Sequence, residues 1–335
     1  MSVVKSTHVD IITDVEFNQQ NGGYKMFEKN KATKIIRKHK ISADEVITKD
    51  NSSFVTSGVQ QIMIGSLCDN YDHALQVLLN IKAAGYDGIE LNDFMIHKTA
   101  PVVKIMTQLA GMPIGNGGNL DWHKLIEESN LQVISLHSYL NTIEENPKSV
   151  ADEAKSFGTD YVVITGMYRF DYSDESAVKD LASRLNKAGA ALAEYGVHLL
   201  YHNHNCELQK VNTKQTAYDI IVEETDEAYV NFELDTYWIA DGGADVTDMI
   251  EKLGNRMVMW HINDRGCTEK GPYLTPILKE NATELGNGNM NLEKYSNLAK
   301  SNGVKYVILE THQNWIDNDP IKSLIISSDF FKKNL

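Results

Sequence analysis

The chain has 335 residues, 42% of them hydrophobic, and a formal charge of −14 from 32 Lys/Arg and 46 Asp/Glu. That length suits one large α/β barrel with an appendage, and a field of this sign repels phosphate backbones, which argues against nucleic-acid partners. No apolar run approaches the roughly eighteen residues of a membrane helix. MSVVKSTHVD lacks a signal-peptide core, and three scattered cysteines (Cys68, Cys206, Cys267) point to a reducing, cytoplasmic setting rather than a disulfide framework.

Residues 1–59 stand apart in composition, with 9 basic against 7 acidic residues, while the remainder carries 23 against 39. Within them, VEFNQQNGGYKMFEKN (15–30) reads as a hairpin turning at Asn21-Gly22-Gly23, and KATKIIRKHK (31–40) as a basic helix or solvated arm. This extension either packs as a surface appendage or serves assembly with a partner. From residue 60 short apolar runs alternate with helical patterns, the signature of βα units around a parallel sheet. Strands are expected at 61–67, 86–92, 131–138, 161–166, 197–204, 230–236, 257–263 and 305–311. The helix at 73–85 ends on Gly85, and that at 175–195 closes at Gly196. Eight units in about 275 residues predict a (β/α)8 TIM barrel over 60–335. A doubly wound sheet would want a Gly-rich dinucleotide turn after the first strand, and IGSLCDN offers none.

Four of these runs end in metal-type ligands: His202 in LLYHNH, Asp235 in VNFELD, His261 in VMWHIND and Glu310 in YVILETH. Such side chains are costly to desolvate unless something pairs them, and a divalent metal is the usual solution. Barrel active sites sit at the C-terminal ends of the strands, so neighbouring strands five to eight would bring all four to one mouth. Two imidazoles and two carboxylates suit Mn2+ best, with Co2+, Fe2+, Zn2+ or Mg2+ as alternatives. His204 shares the face of His202 and is either a general base or acid or an orienter of a ligand. Glu90 and His137 end strands two and three and are candidates for substrate hydroxyls, though Glu90 could equally pair with a cation. Asp264 and Arg265 either orient the metal ligand, hold a substrate oxygen or form a loop salt bridge. Trp122, Tyr139, Tyr168, Trp238 and Trp315 are loop aromatics able to pack locally or to stack on a sugar, and Trp238 is taken as substrate-binding. The Gly-rich segments at 115–118, 242–243 and 286–288 read as turns or covering loops.

GYDGIELN, YHNH, ELDTYW, WHINDRG, ELGNGNMNLEKY and YVILETH together resemble the xylose isomerase-like TIM barrels, also called the sugar phosphate isomerase/epimerase superfamily. The likeness spans about residues 60–335. It implies a divalent-metal enzyme of carbohydrate metabolism in which a base removes a proton next to a carbonyl and the metal stabilises the enediolate. Ketose 3-epimerases of that superfamily carry Glu where His202 stands, so a proton shuttle between two Glu is not expected here. The catalytic set becomes His204, with His202 and Glu310. Within the superfamily the overall similarity is to α-subunits of C-glycoside deglycosidases, which implies cleavage of 3-oxo-C-glucosides together with a small β-subunit, and an oligomer. The alternatives are a sugar isomerase or epimerase, an inosose dehydratase, or a non-catalytic sugar-binding protein.

Overall fold

In a computed structural model, residues 16–20, 23–27, 55–99, 115–311 and 313–335 are described. The expected hairpin is present, with Glu16–Gln20 paired antiparallel to Gly23–Phe27 and Gln20 opposite Gly23. The basic stretch 31–40 lies outside the described residues.

The second compact unit, Ser53–Leu335, contains eight parallel strands: β1 Thr56–Gln60, β2 Gly88–Asn92, β3 Gln132–Ser138, β4 Tyr161–Thr165, β5 His198–His202, β6 Val230–Asp235, β7 Met257–Ile262 and β8 Tyr306–Leu309. Each pairs with the next, and β8 closes on β1, giving a closed barrel. Among the described residues, a helix of eight residues or more follows each strand: α1 Tyr71–Ala84, α2 Trp122–Ser129, α3 Pro147–Ser156, α4 Glu175–Ala193, α5 Ala217–Glu224, α6 Val246–Leu253, α7 Leu292–Ser301 and α8 Pro320–Asn334. Their starts are written locally. The Asp174 carboxylate caps α4 by accepting the Ser176 and Ala177 N–H groups, and Val178, Leu181, Ala182, Leu185, Ala188 and Leu192 form its buried stripe. Gly85 ends α1 at φ 103°, a left-handed value that favours glycine. No helix among the described residues is long and apolar enough to cross a membrane.

The first strand departs from expectation. Residues 61–67 form a 3-10 helix, not a strand, and the barrel begins at Thr56, inside the stretch assigned to the extension. Gln61–Gly65 are all buried, and a short buried apolar run has the same pattern in either conformation. The Gln60 side chain decides it, accepting the Ile62 N–H at 2.7 Å and turning the chain out of the sheet.

Alternate residues point inward. Ile134, Val163, Leu200, Met259 and Ile308 form a separate apolar cluster inside the barrel, while outward residues such as Phe232, Leu234 and Trp260 join the core shared with the helices. Two residues beyond four of its five members, Val163, Leu200, Met259 and Ile308, lie Thr165, His202, His261 and Glu310 on the same face. On β3 the step to His137 is three residues, because one extra residue bulges against β2. The apolar layer thus carries a polar layer toward the mouth. Room for Ile134 comes from glycines on β1 and β2. A Cβ at Gly88 would stand 2.5 Å from the Gln132 backbone oxygen, and one at Gly58 2.3 Å from Ile134 Cδ1. Gly88→Ala therefore forces a backbone shift, and urea denaturation should show a loss of about 1–3 kcal/mol.

Candidate metal centre

His202, Asp235, His261 and Glu310 come together at the mouth, all buried, each offering a ligand atom within 4.8 Å of the others. Sheet register does the assembling: Asp235 lies opposite His261, and the Glu310 N–H donates to the Ile262 carbonyl. Asp235 is held locally. Its carboxylate accepts the Trp238 N–H at 3.1 Å, capping the short helix Thr236–Asp241, and the Asn203 amide brackets its backbone with bonds of 3.0 and 3.2 Å.

A second tier lies against the first and shares His261: Glu90, His137 and Glu233. Glu233 Oε2 stands 3.0 Å from His202 Nδ1, 3.1 Å from His261 Nε2 and 3.2 Å from His137 Nε2. Glu90 Oε2 stands 2.6 Å from His261 Nε2 and 3.0 Å from His137 Nε2. The other face of His261 meets Glu310, with Nδ1 2.7 Å from Oε2. His137 Nδ1 is 2.7 Å from Thr165 Oγ1, and Ser135 Oγ donates to Glu90. The His137 Nε2 contacts are ion pairs not aligned as hydrogen bonds, and Glu233 Oε1 is buried without a partner.

Charge explains the arrangement. Burial opposes ionisation of Glu233, yet the charges of His261 and His137, with the hydrogen bond from His202, hold its carboxyl well below the usual range. Burial likewise opposes protonation of the imidazoles. The Glu233, Glu90 and Glu310 carboxylates nevertheless carry His261 well above its ordinary value, and Glu90 and Glu233 lift His137 to about 10. Asp235 goes the other way, pushed up to about 7 chiefly by burial and further by Glu310. The two tiers together hold four carboxylates, Glu90, Glu233, Asp235 and Glu310, against three imidazoles, His137, His202 and His261, so carboxylate exceeds the available cation. A divalent ion suits that excess: two imidazoles and two carboxylates give it nitrogen and oxygen donors, and a buried carboxylate oxygen stands unsatisfied beside them. With Glu233 on His202 Nδ1 and Glu90 on His261 Nε2, the nitrogens that would face a metal are His202 Nε2 and His261 Nδ1, the latter now 2.7 Å from Glu310, itself one of the four candidate ligands.

His204 is half-buried, its ring centroid 5.1 Å from that of His202 and 5.7 Å from that of Trp238. The other candidates are placed as follows. Glu90 and His137 lie in the buried tier, Glu90 fully enclosed and His137 slightly exposed, each engaged with the neighbouring charged groups. Asp264 accepts N–H groups from Arg265, Gly286, Gly288 and Met290 at 2.8 to 3.3 Å, which commits both oxygens to the Gly-rich turn. Arg265 pairs with Asp241 and Glu280, so the loop salt bridge is what forms. Trp122 is buried with Nε1 bonded to the Gly117 carbonyl, whereas Tyr139 and Tyr168 are exposed. Glu233 was absent from the expected set. Its signal was there, since it precedes Asp235 by two residues and therefore shares its face.

The model of the xylose isomerase-like TIM barrel family matches residues 78–333. An inosose dehydratase of Clostridium perfringens is 23% identical over 274 residues, covering 77% of this chain and 89% of its own. A sugar phosphate isomerase/epimerase from Parabacteroides distasonis has the same fold, with TM-score 0.63 and 19% identity over 84% of this chain and 94% of that one. So does the IOLI protein, solved with a bound zinc atom, with TM-score 0.58 and 16% identity over 84% and 99%.

Removing Glu233 leaves three imidazoles gathered around an empty position. Glu233→Ala should lower unfolding free energy by about 3–5 kcal/mol, measured by equilibrium denaturation.

Proposed function

Because the chain belongs to the xylose isomerase-like TIM barrel family, we propose that it is a divalent-metal-dependent lyase that removes a proton next to the ketone of an oxidised sugar or cyclitol and expels the β-substituent. The observation that carries this reading is the meeting of His202, Asp235, His261 and Glu310 at the barrel mouth with His204 beside them. A cation held by those four supplies Lewis acidity toward the ketone oxygen and stabilises the negative charge that builds there. Mn2+ fits the mixed donor set best, with Zn2+, Co2+, Fe2+ and Mg2+ also compatible.

The chain's own residues supply the rest. His204 takes the proton, an imidazole being a competent base near neutral pH. The electrons of that C–H bond form the new double bond as the β-substituent leaves with the pair of its own bond, and a proton from the His204 imidazolium or from solvent makes it a neutral product. Trp238, next to His204, offers an apolar ring face to the sugar. Glu233 and Glu90 fix the tautomers of His202 and His261, and the His137 imidazolium balances the pair. The likeness to inosose dehydratases supports water as the leaving group. If the β-substituent is instead a carbon-linked aglycone, the same proton removal leads to C-glycoside cleavage.

Incubation of the Mn2+-loaded protein with a keto-cyclitol such as an inosose, in deuterated water, should give a dehydrated product, and chelation should abolish it. Release of aglycone from a 3-oxo-C-glucoside, with or without a small β-subunit, would reassign the leaving group. Solvent deuterium in an otherwise intact sugar would make the protein an isomerase, and no exchange on any of these substrates would overturn the reading.

Metal loading should also respond to pH in a defined sense. His261, raised well above its ordinary value, and Asp235, at about 7, must both lose protons to act as ligands. Binding therefore releases protons, and affinity falls as pH is lowered from about 8 to about 6. Isothermal titration in buffers of different ionisation enthalpy reads both effects.

A further inference from the structure

Behind β5, on the face away from the metal ligands, lies a second polar cluster that the proposed chemistry does not use. Glu207 sits in the short 3-10 turn Cys206–Leu208 that follows the YHNH segment and is fully buried. The donors it accepts from are neutral. Tyr201 OH donates to Oε1 at 2.9 Å, while the His204 N–H at 2.9 Å and the Cys206 thiol at 3.2 Å donate to Oε2. The chain of bonds runs further: Tyr201 OH lies 3.1 Å from Tyr172 OH, which accepts the Met167 N–H at 2.8 Å. Strand alternation places Tyr201 outward, between the inward Leu200 and His202. The cluster therefore ties the loop after β4 to the loop after β5 from behind the barrel wall.

Its position relative to His204 is close. A Cβ built on Gly166, the residue after β4, would lie 3.1 Å from Glu207 Oε1, 3.2 Å from Tyr172 OH and 3.5 Å from His204 Nδ1. Carboxylate, phenol and imidazole thus share one small space, which a side chain at residue 166 would crowd. Burial, and next the Glu207 charge, push the Cys206 thiol up to about 12, so it stays protonated and keeps donating. Low dielectric strengthens such a chain and makes each unmet partner costly.

We infer that Glu207 is a positioning residue: by gripping the His204 N–H and, through Tyr201 and Tyr172, the loop after β4, it holds the His204 imidazole where it reaches the substrate carbon. The inference rests on the reading of His204 as the base. The hydrogen-bond donors to Glu207 are Tyr201, His204 and Cys206, none of them among the four candidate metal ligands. Its influence therefore falls on the orientation of one side chain, and misplacing a reacting group by about 1 Å costs on the order of a hundredfold in rate.

The test compares the full-length, metal-loaded wild type with Glu207→Gln, which keeps the shape but removes the charge and replaces one acceptor with an NH2 donor, facing either the Tyr201 hydroxyl or the His204 N–H and the thiol. The expected result is a fall in kcat of about tenfold or more, with KM within about twofold and metal content unchanged. In the Zn2+-loaded protein the His204 ring signals should shift in 1H–15N spectra while those of His261 stay in place. Tyr172→Phe cuts the chain at its far end and should lower kcat by about threefold. It decides the matter alone if Glu207→Gln does not fold. Unchanged kcat together with unshifted His204 signals would overturn the inference. If the wild type turns over no keto sugar, the functional reading fails, and the spectra still decide whether Glu207 sets the His204 ring.

Discussion

A single carboxylate oxygen, Glu233 Oε2, lies within 3.2 Å of ring nitrogens from His137, His202 and His261. Burying an isolated carboxylate is prohibitive, and burying an isolated imidazolium nearly so. Placed together in a fully enclosed site, each makes the other tolerable, and three strands are committed to one register. β3, β5 and β7 must all present a histidine at the height where β6 presents Glu233. The apolar layer of Ile134, Val163, Leu200, Met259 and Ile308 beneath it keeps water from screening these charges from below.

This pairing separates the polar interior into two tiers with different work. The lower tier, Glu90, His137 and Glu233, is satisfied mainly from within the protein and fixes ring orientation. The upper tier, His202, Asp235, His261 and Glu310, carries the surplus negative charge that burial makes expensive, as the upward push on Asp235 records. His261 belongs to both, with Nε2 toward Glu90 and Nδ1 toward Glu310. Outside the wall, Glu207 and its two tyrosines brace the segment that carries His204. The mouth is thus positioned from below and from behind, which leaves its open side to a substrate.

Much of this was legible in the chain. Apolar runs that end in His, Asp or Glu marked the upper tier, because β alternation and the barrel rule together convert strand ends into one location. Other elements misled for identifiable reasons. QIMIGSL has the composition of a buried strand, and only the cap from Gln60 turns it into a 3-10 helix. Glu90 and His137 look like mouth residues, yet the β3 bulge and the strand stagger place them in the lower tier. Asp264 and Arg265 follow His261 closely in sequence, but a three-residue strand, Asp264–Gly266, carries them to the Gly286–Met290 turn and to Asp241.

By itself the sequence determined periodicity: which segments alternate, where caps and left-handed glycines stop the helices, and which residue types stand at strand ends. Those properties are local, set within a turn or a pleat, so a linear pattern carries them. Tertiary structure alone decided which of the buried acids met a histidine and which met a tyrosine or a backbone N–H. Glu233 and Glu207 are both fully buried glutamates, yet one faces imidazoles inside the barrel and the other hydroxyl and thiol donors behind it. That difference depends on stagger between strands and on contacts between distant loops, and a carboxylate's ionisation follows its neighbours in space rather than those along the chain.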